Sequence, residues 1–399
     1  MRGGVIMSSN NKIENVLVLQ GGGSLGAFAC GVFKALIKKN IKIDIVAGTS
    51  IGGINAAIIA GSKDNEHPER TLEEFWLELA ENSVNLTNPV IERLIDKSRT
   101  SFVGPIESNL LTTSEVDSLL STISSILYGN DKFFIPRWRA DYAFKDPHYF
   151  SPLKWTYLYD NSPLAKTLEK YIDYNRLQPN GSPYARLIIT AVNILTSAPL
   201  TFDSAKEQIT PKHILATSGY PSYNFPWVEV EPGVFAWDGG LLNNTPFAEV
   251  IDASPVIDKR LFFVENYPRK IEKLPSNLSE VYHRTRDIMF SDKSQHSIKM
   301  SKVITRYLKY IEELYHIIDE NIDPSKIDSK QLEKIRQTYK KMKYQRGAEI
   351  RKIFHIIRDE PFPRFYENTD FSVETLKTSI RDGESKTNQI LEKKENVII

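Results

Sequence analysis

The chain has 399 residues, 41% of them hydrophobic and 25% charged, with a formal net charge of +1 at pH 7. That balance suits a soluble globular protein of one or two domains and gives no general electrostatic case for binding nucleic acid. The single cysteine, Cys30, excludes an intramolecular disulfide framework and a multi-cysteine metal site, and no stretch reaches the roughly 20 apolar residues of a membrane span.

Residues 1–14 lack the apolar core of a signal peptide and read as a tail. The expectation is a cytoplasmic protein that touches a membrane surface without crossing it. Residues 15–20, NVLVLQ, form a short apolar run that reads as a buried strand. Gly21-Gly22-Gly23-Ser24-Leu25-Gly26 follows at once. A helix is then predicted from residue 25 to about 39, with Phe28, Val32, Phe33, Leu36 and Ile37 on one face. Cys30 lies inside it and reads as a packed core thiol.

Residues 41–47 read as a second strand, and residues 51–60 as a small-residue helix. Between them stands Gly48-Thr49-Ser50-Ile51-Gly52, a G-x-S-x-G pentapeptide. Where a strand turns sharply into a helix, the bend residue is held strained with its side chain pointing outward. Glycines on either side let backbone pass close by. Ser50 would sit at a helix N-terminus, where the dipole favours an anionic oxygen. Two successive strand–turn–helix units predict a parallel sheet with helices on its faces.

The glycine turn supports two readings. Residues 21–26 fit G-x-G-x-x-G, and Asp44 lies about where a ribose-binding acid is expected in a dinucleotide fold. Alternatively, consecutive unobstructed amides converge on one spot and stabilise an oxyanion. The serine bend ending the second strand favours the latter.

Residues 69–80 form an amphipathic helix with Leu72, Phe75, Trp76 and Leu79 facing inward. Residues 82–160 break the α/β rhythm. They contain a helical piece at 114–127 and an aromatic-rich stretch that includes Phe133, Phe134, Phe144, Phe150 and Trp155. This is an insertion with its own small core, a cap that lines an acyl pocket or meets lipid, or both. A helix at 164–171 follows, with Ser162 as cap and Pro163 at its first position. Next come a strand at 185–192, a hairpin end at 201–203 and a short helix at 211–218. A strand at 234–237 ends in Asp238-Gly239-Gly240, and residues 261–264 are the last strand predicted. Beyond residue 266 the pattern is helical at 276–290, 298–318, 329–357 and 369–378, with a frayed end from 384. The third of these is basic, and suits either a solvated face or anionic headgroups.

An activated serine needs a base and an oxyanion site. None of the seven histidines sits in a glycine-bounded loop after a predicted strand; His213 and His283 come nearest. Asp238 follows a strand, and Gly239 and Gly240 allow a tight turn and close approach. The spacing therefore raises a dyad in which Asp238 takes the Ser50 proton directly. That would depend on partial burial, because a free aspartate is a weak base.

Three motifs in order, Gly21 to Gly26, Gly48 to Gly52 and Asp238-Gly239-Gly240, carry a family resemblance. The third continues into Leu241-Leu242-Asn243-Asn244-Thr245-Pro246. Together they resemble the patatin-like phospholipases, over residues 15–264. Arg286-Asp287-Ile288-Met289-Phe290-Ser291 resembles the C-terminal extension of a bacterial subgroup. The resemblance implies a three-layer α/β/α sandwich around a mainly parallel sheet, with a catalytic domain at 15–265 and a helical C-terminal extension at 266–399. It implies Ser50 as nucleophile, Asp238 as base, and the amides of Gly22 and Gly23, with Ser24 beside them, as the oxyanion site. The implied substrate is a phospholipid or lysophospholipid, with no cofactor and no metal. Leu25 stands where many members of the family carry a basic residue. Transfer of the acyl group to another acceptor by the same dyad is the alternative activity, and dinucleotide binding is the rival from another class.

Overall fold

The computed structural model of the chain describes residues 13–81, 113–321, 328–346, 348–359 and 367–393. The first part of the predicted insertion, residues 82–112, lies outside the described residues.

Strand β1 (Ile13–Leu19) and strand β2 (Ile45–Thr49) pair in parallel, with Val16 opposite Ile45 and Leu19 opposite Gly48. Strands β3 (Arg186–Asn193), β4 (Pro199–Asp203), β5 (Val228–Glu231), β6 (Val234–Asp238), β7 (Asp258–Glu265) and β8 (Ile350–Ile357) complete an eight-stranded sheet. Its order is β8-β7-β1-β2-β3-β6-β5, with β4 also paired to β3. From β8 to β3 the strands are parallel; β4, β5 and β6 join antiparallel to their neighbours.

Side chains of a strand alternate between faces, and here both faces are buried. Leu17, Leu19, Val46, Leu187, Ile189, Phe262 and Val264 enter one core. Helices α1 (Ala27–Lys38), α2 (Ile51–Ala60) and α3 (Pro68–Glu81) cover that face through Phe28, Ile54 and Trp76. The helices α4 (Thr113–Tyr128), α5 (Ser162–Tyr171) and α6 (Pro211–Ser218) follow in the chain. Val16, Val18, Ile45, Ala47, Ile188, Leu261 and Phe263 point the opposite way. They pack on Phe247 and Val250 of α7 (Phe247–Ala253) and on Ile298 of α9 (Gln295–Asn321). Helix α8 (Leu278–Phe290) lies between these last two in sequence. The result is the expected three-layer α/β/α sandwich. A fully buried side chain of this size contributes about 1.5–3 kcal/mol.

The C-terminal region departs from the expected run of helices. Helix α10 (Ser329–Arg346) stops, and Ile350–Ile357 adds a parallel strand beyond β7. Phe354 stacks on Phe262 with ring centroids 4.8 Å apart. The β-branched and aromatic run IRKIFHII carries this strand preference, which the basic helical pattern before it obscures. Helix α11 (Val373–Glu392), longer than the predicted 369–378, lies on α1. The backbones come so close that a Cβ on Gly31 would meet the Ile380 carbonyl at 1.8 Å.

Candidate active site

The topology explains why residues far apart in sequence meet. Strand β3 has β4 along one edge, and on the other edge it is shared by two strands. Strand β2 covers its first part, with Thr49 opposite Thr190. Strand β6 covers its last part from the opposite direction, with Asp238 opposite Ala191. The C-terminal ends of β2 and β6 therefore meet head on, and each chain must turn out of the sheet there. Ser50 is the first residue after β2 and Asp238 the last residue of β6. Paired hydroxyls of Thr49 and Thr190, 2.7 Å apart, tie the seam beneath them.

The turn at Ser50 is sharp. Its φ is 59° and ψ is −132°, a conformation that costs a non-glycine residue about 1–3 kcal/mol. It is held because Gly53 and Ile54 amides donate to the Ser50 carbonyl, and the Ser50 amide donates to Thr217 Oγ1 at 3.1 Å. A Cβ on Gly48 would lie 2.1 Å from the Gly52 carbonyl, and one on Gly52 would lie 2.3 Å from that of Leu19. The glycines of the pentapeptide are thus a steric requirement of the elbow. Ser50 caps the N-terminus of α2.

Asp238 is 1% exposed. Its Oδ1 accepts from the Gly240 amide at 2.7 Å, so the tight turn at Gly239-Gly240 orients the carboxyl group. Its Oδ2 is buried without a hydrogen-bond donor in bonding distance. Burial pushes the Asp238 pKa up from 3.8 to about 7, against the opposing effects of the nearby Ser50 hydroxyl and the Gly240 amide. Ser50 is therefore near enough to influence the carboxylate without closing a full hydrogen bond on Oδ2. An aspartate of this kind is matched to proton transfer near neutral pH.

Both side chains open into one pocket, whose wall also includes Gly21, Gly22, Gly23 and Gly240. The Gly21 amide donates to Asn244 Oδ1 at 3.0 Å, and Asn244 in turn donates to the Phe290 carbonyl at 3.1 Å. Among the described residues, the Gly22 and Gly23 amides have no protein acceptor. Ser24 does not line the pocket, and its hydroxyl donates to the Glu367 carbonyl at 2.7 Å. Gly26 lies at the start of α1, where its carbonyl accepts from Asn55. Gly239 packs on Thr190. The rest of the pocket is mostly aromatic, built from Phe133, Tyr220, Tyr223, Phe225, Tyr267 and Phe290 with Ile51, Ser218 and Asn244. Phe133 belongs to the predicted insertion, so part of that segment does line the pocket. Leu25 packs beneath it against Tyr220, Tyr267 and Phe290.

Other candidates fall elsewhere. His213 accepts the Thr210 amide, stacks on Phe202, and has its pKa lowered to about 4 by burial. His283 is buried between Asp287 and Glu367. Neither lines the pocket. Asp44 accepts the Asn15 amide at the opposite end of the strands from the glycine turn, out of reach of a ribose held there. Cys30 is fully buried, which drives its pKa far up. Glu265, Asp292 and His355 cluster, but the Arg269 guanidinium binds all three at 2.7, 2.7 and 3.1 Å and fills the place a metal would take.

The sequence reading missed Asn244, Thr217 and Thr190. Asn244 stood in the quoted stretch after Asp238, but its role depends on a glycine more than 200 residues away. Nothing local marks Thr217 or Thr190.

The family described as patatin-like phospholipase matches residues 17–251, more than half of the chain. A 48-residue stretch is 52% identical to Lysophospholipase nte1 of Aspergillus terreus, covering 12% of this chain and only 3% of that protein. Among solved structures the fold is similar to VipD of Legionella pneumophila, at 14% identity and a TM-score of 0.40, over 95% of this chain and 66% of that one. It is also similar to human GIVD cytosolic phospholipase A2, at 11% identity and a TM-score of 0.33, over 95% and 59% of the two chains. The family match runs without a break from β1 to α7, through the glycine turn, the serine elbow and Asp238: the chain belongs to the patatin-like phospholipase family.

Proposed function

We propose that the protein is a lipid acyl hydrolase that cleaves fatty-acyl esters of phospholipids or lysophospholipids through Ser50 and Asp238. The observation that carries this reading is the buried Asp238 carboxylate, its Oδ2 unpaired and its pKa raised to about 7, beside a serine held at a strained strand–helix turn. Ser50 Oγ attacks the ester carbonyl while its proton passes to Asp238 Oδ2. The carbonyl oxygen, now an anion, takes hydrogen bonds from the Gly22 and Gly23 amides at the positive end of α2. Collapse breaks the ester C–O bond, and Asp238 returns the proton to the leaving alcohol. Water then attacks the acyl-serine, giving its proton to Asp238, and the second collapse frees the fatty acid and restores Ser50. The aromatic walls suit an acyl chain. Residues 15–265 are the proposed catalytic unit, with the region from 266 onward as its extension.

Hydrolysis is separated from acyl transfer by product analysis on a mixed panel of phospholipids, with glycerol and a thiol as competing acceptors. Free fatty acid should dominate. Acylated acceptor as the main product would replace the hydrolase reading by the transferase.

The lipid surface is proposed to meet α8. This helix buries His283, Asp287 and Phe290 yet exposes Leu278, Val281, Tyr282, Ile288 and Met289, an apolar stripe turned to solvent. Its last residue, Phe290, lines the pocket. Among the described residues no helix is long and apolar enough to cross a membrane. A Leu278→Ser/Tyr282→Ser/Met289→Ser protein should sediment with phospholipid vesicles at least about fivefold less, while its turnover of a short-chain soluble ester is unchanged. Removing three half-exposed apolar side chains forfeits several kcal/mol of burial in lipid, roughly, which supports an effect of at least that size. Equal sedimentation of variant and wild type would remove α8 from the surface.

A further inference from the structure

The Gly22 and Gly23 amides serve as oxyanion donors only if their peptide planes are held with N–H toward the pocket. Both residues have positive φ, 152° at Gly22 and 60° at Gly23, and only a single 3-10 turn, Gly23–Gly26, begins there, so regular secondary structure does little to hold the two peptides. In a trans peptide the carbonyl of one residue and the N–H of the next point in opposite directions. The described chain contains no cis peptide. Whatever grips the Gly21 carbonyl therefore aims the Gly22 N–H, and whatever grips the Gly22 carbonyl aims the Gly23 N–H.

Two asparagines grip these carbonyls, and the Leu25 amide adds a longer bond of 3.3 Å to that of Gly22. Asn266, just past β7, donates its side-chain amide to the Gln20 and Gly21 carbonyls at 3.2 and 3.1 Å. Asn368 donates its side-chain amide to the Gly22 carbonyl at 2.9 Å. Both are buried, at 1% and 7% exposure, and neither lines the pocket, so the carbonyls turn toward the asparagines and away from it. The Asn266 backbone N–H donates to Gln20 Oε1, and Gln20 Nε2 donates to Thr245 Oγ1, which seats the residue beside the loop. Among the described residues its Oδ1 is buried without a hydrogen-bond partner, so the two carbonyls alone orient its side-chain amide. Asn368 Oδ1 accepts from Arg286 at 2.5 Å, which commits its NH₂ to the glycine loop. Arg286 and Arg358 both bind Glu367, at 2.9 and 2.8 Å, and so hold the segment that carries Asn368. The contact is tight: a Cβ on Gly23 would lie 2.4 Å from the Asn368 carbonyl.

We infer that Asn266 and Asn368 are positioning residues for the oxyanion site, and that the C-terminal region beyond the family match thereby completes the catalytic machinery. This rests on the acyl-hydrolase reading above. Neither residue touches substrate. Each acts through the peptide it holds, so its loss should raise the transition-state barrier and leave ground-state binding alone.

The test uses the full chain with Asn368→Ala, Asn368→Asp and Asn266→Ala, beside wild type and Ser50→Ala. Activity on a soluble acyl ester is expressed per active site titrated with a fluorophosphonate. A trifluoromethyl ketone, whose adduct with a serine is a tetrahedral oxyanion, reports the site directly. The expected result is a fall in kcat of about 10²-fold for each asparagine variant, with KM within about threefold, in line with the loss of one oxyanion donor. Affinity for the ketone should fall in parallel. Asn368→Asp, which keeps the shape and loses the donor, should resemble Asn368→Ala. Unchanged kcat per titrated site, or ketone affinity within about threefold of wild type in all three variants, would overturn the assignment. A merely structural role would instead lower the melting temperature and the number of titratable sites, with kcat per site kept. Failure of the underlying reading looks different: wild type and Ser50→Ala would then be equally inactive.

Discussion

Ser50→Ala is expected to reduce acyl release about 10⁶-fold, to a level set by binding and the oxyanion site alone. The loss is complete because no neighbouring hydroxyl can substitute. Thr49 and Thr190 bond to each other, Thr217 Oγ1 holds the Ser50 amide, and the Ser218 hydroxyl donates to the Leu215 carbonyl. Stability should barely change, since alanine keeps the Cβ that makes φ of 59° costly and the Ser50 hydroxyl closes no full hydrogen bond. Ser50→Gly should be equally inactive yet more stable by about 1 kcal/mol, because glycine adopts this conformation without strain. Fluorophosphonate labelling, fatty-acid release and thermal melting measure all of this together. Residual release by Ser50→Ala above one hundredth of wild type would point to another nucleophile.

Asp238→Asn should separate activity from stability in opposite directions. Asparagine keeps the Oδ1 that accepts from the Gly240 amide but cannot take the Ser50 proton, so activity falls about 10⁴-fold. The stability effect follows from linkage. The Asp238 pKa is raised on folding, from 3.8 to about 7, so protonation favours the native state. That contribution is fully present below pH about 3.8 and is lost as pH rises through about 7. Above pH 7 the wild type carries a buried charge at a cost of about 4 kcal/mol relative to acid conditions. The asparagine protein carries none. Its melting temperature should therefore exceed that of wild type increasingly as pH rises from 5 through about 7, and by a constant margin above that. In the wild type the same ionisation should appear in kcat/KM, rising on the acid side with an apparent pKa of about 7. A flat kcat/KM between pH 5 and 9, or an Asp238→Asn protein that melts below wild type at pH 9, would contradict the buried-base account.

Much of this was legible in the primary structure because it is local. The near-continuous apolar runs of β1, β2 and β3 announce strands buried on both faces. The pentapeptide around Ser50 announces the elbow, since the backbone approach at Gly48 and Gly52 admits no side chain. Asp238 was legible from its place at a strand end followed by two glycines. The strand at Ile350–Ile357 was not, because its pattern runs on from a basic helix and its preference is realised only against the exposed edge of β7. Asn244, Asn266 and Asn368 were not legible either. A buried asparagine matters through the groups it satisfies, and those lie 223, 245 and 346 residues away.

By itself, then, the sequence determined which chemical groups the protein offers: a strained serine, a strand-end aspartate and a glycine turn, each specified by neighbours within a few residues. Tertiary structure decided whether they act together. Two strands meeting end to end along one edge of β3 bring Ser50 to Asp238, burial raises the pKa of an ordinary aspartate toward neutral pH, and chain returning from beyond residue 350 grips the glycine turn. The division has a plain physical origin: backbone strain and steric exclusion are short-ranged and written locally, whereas desolvation and hydrogen-bond satisfaction depend on whatever the folded chain packs alongside.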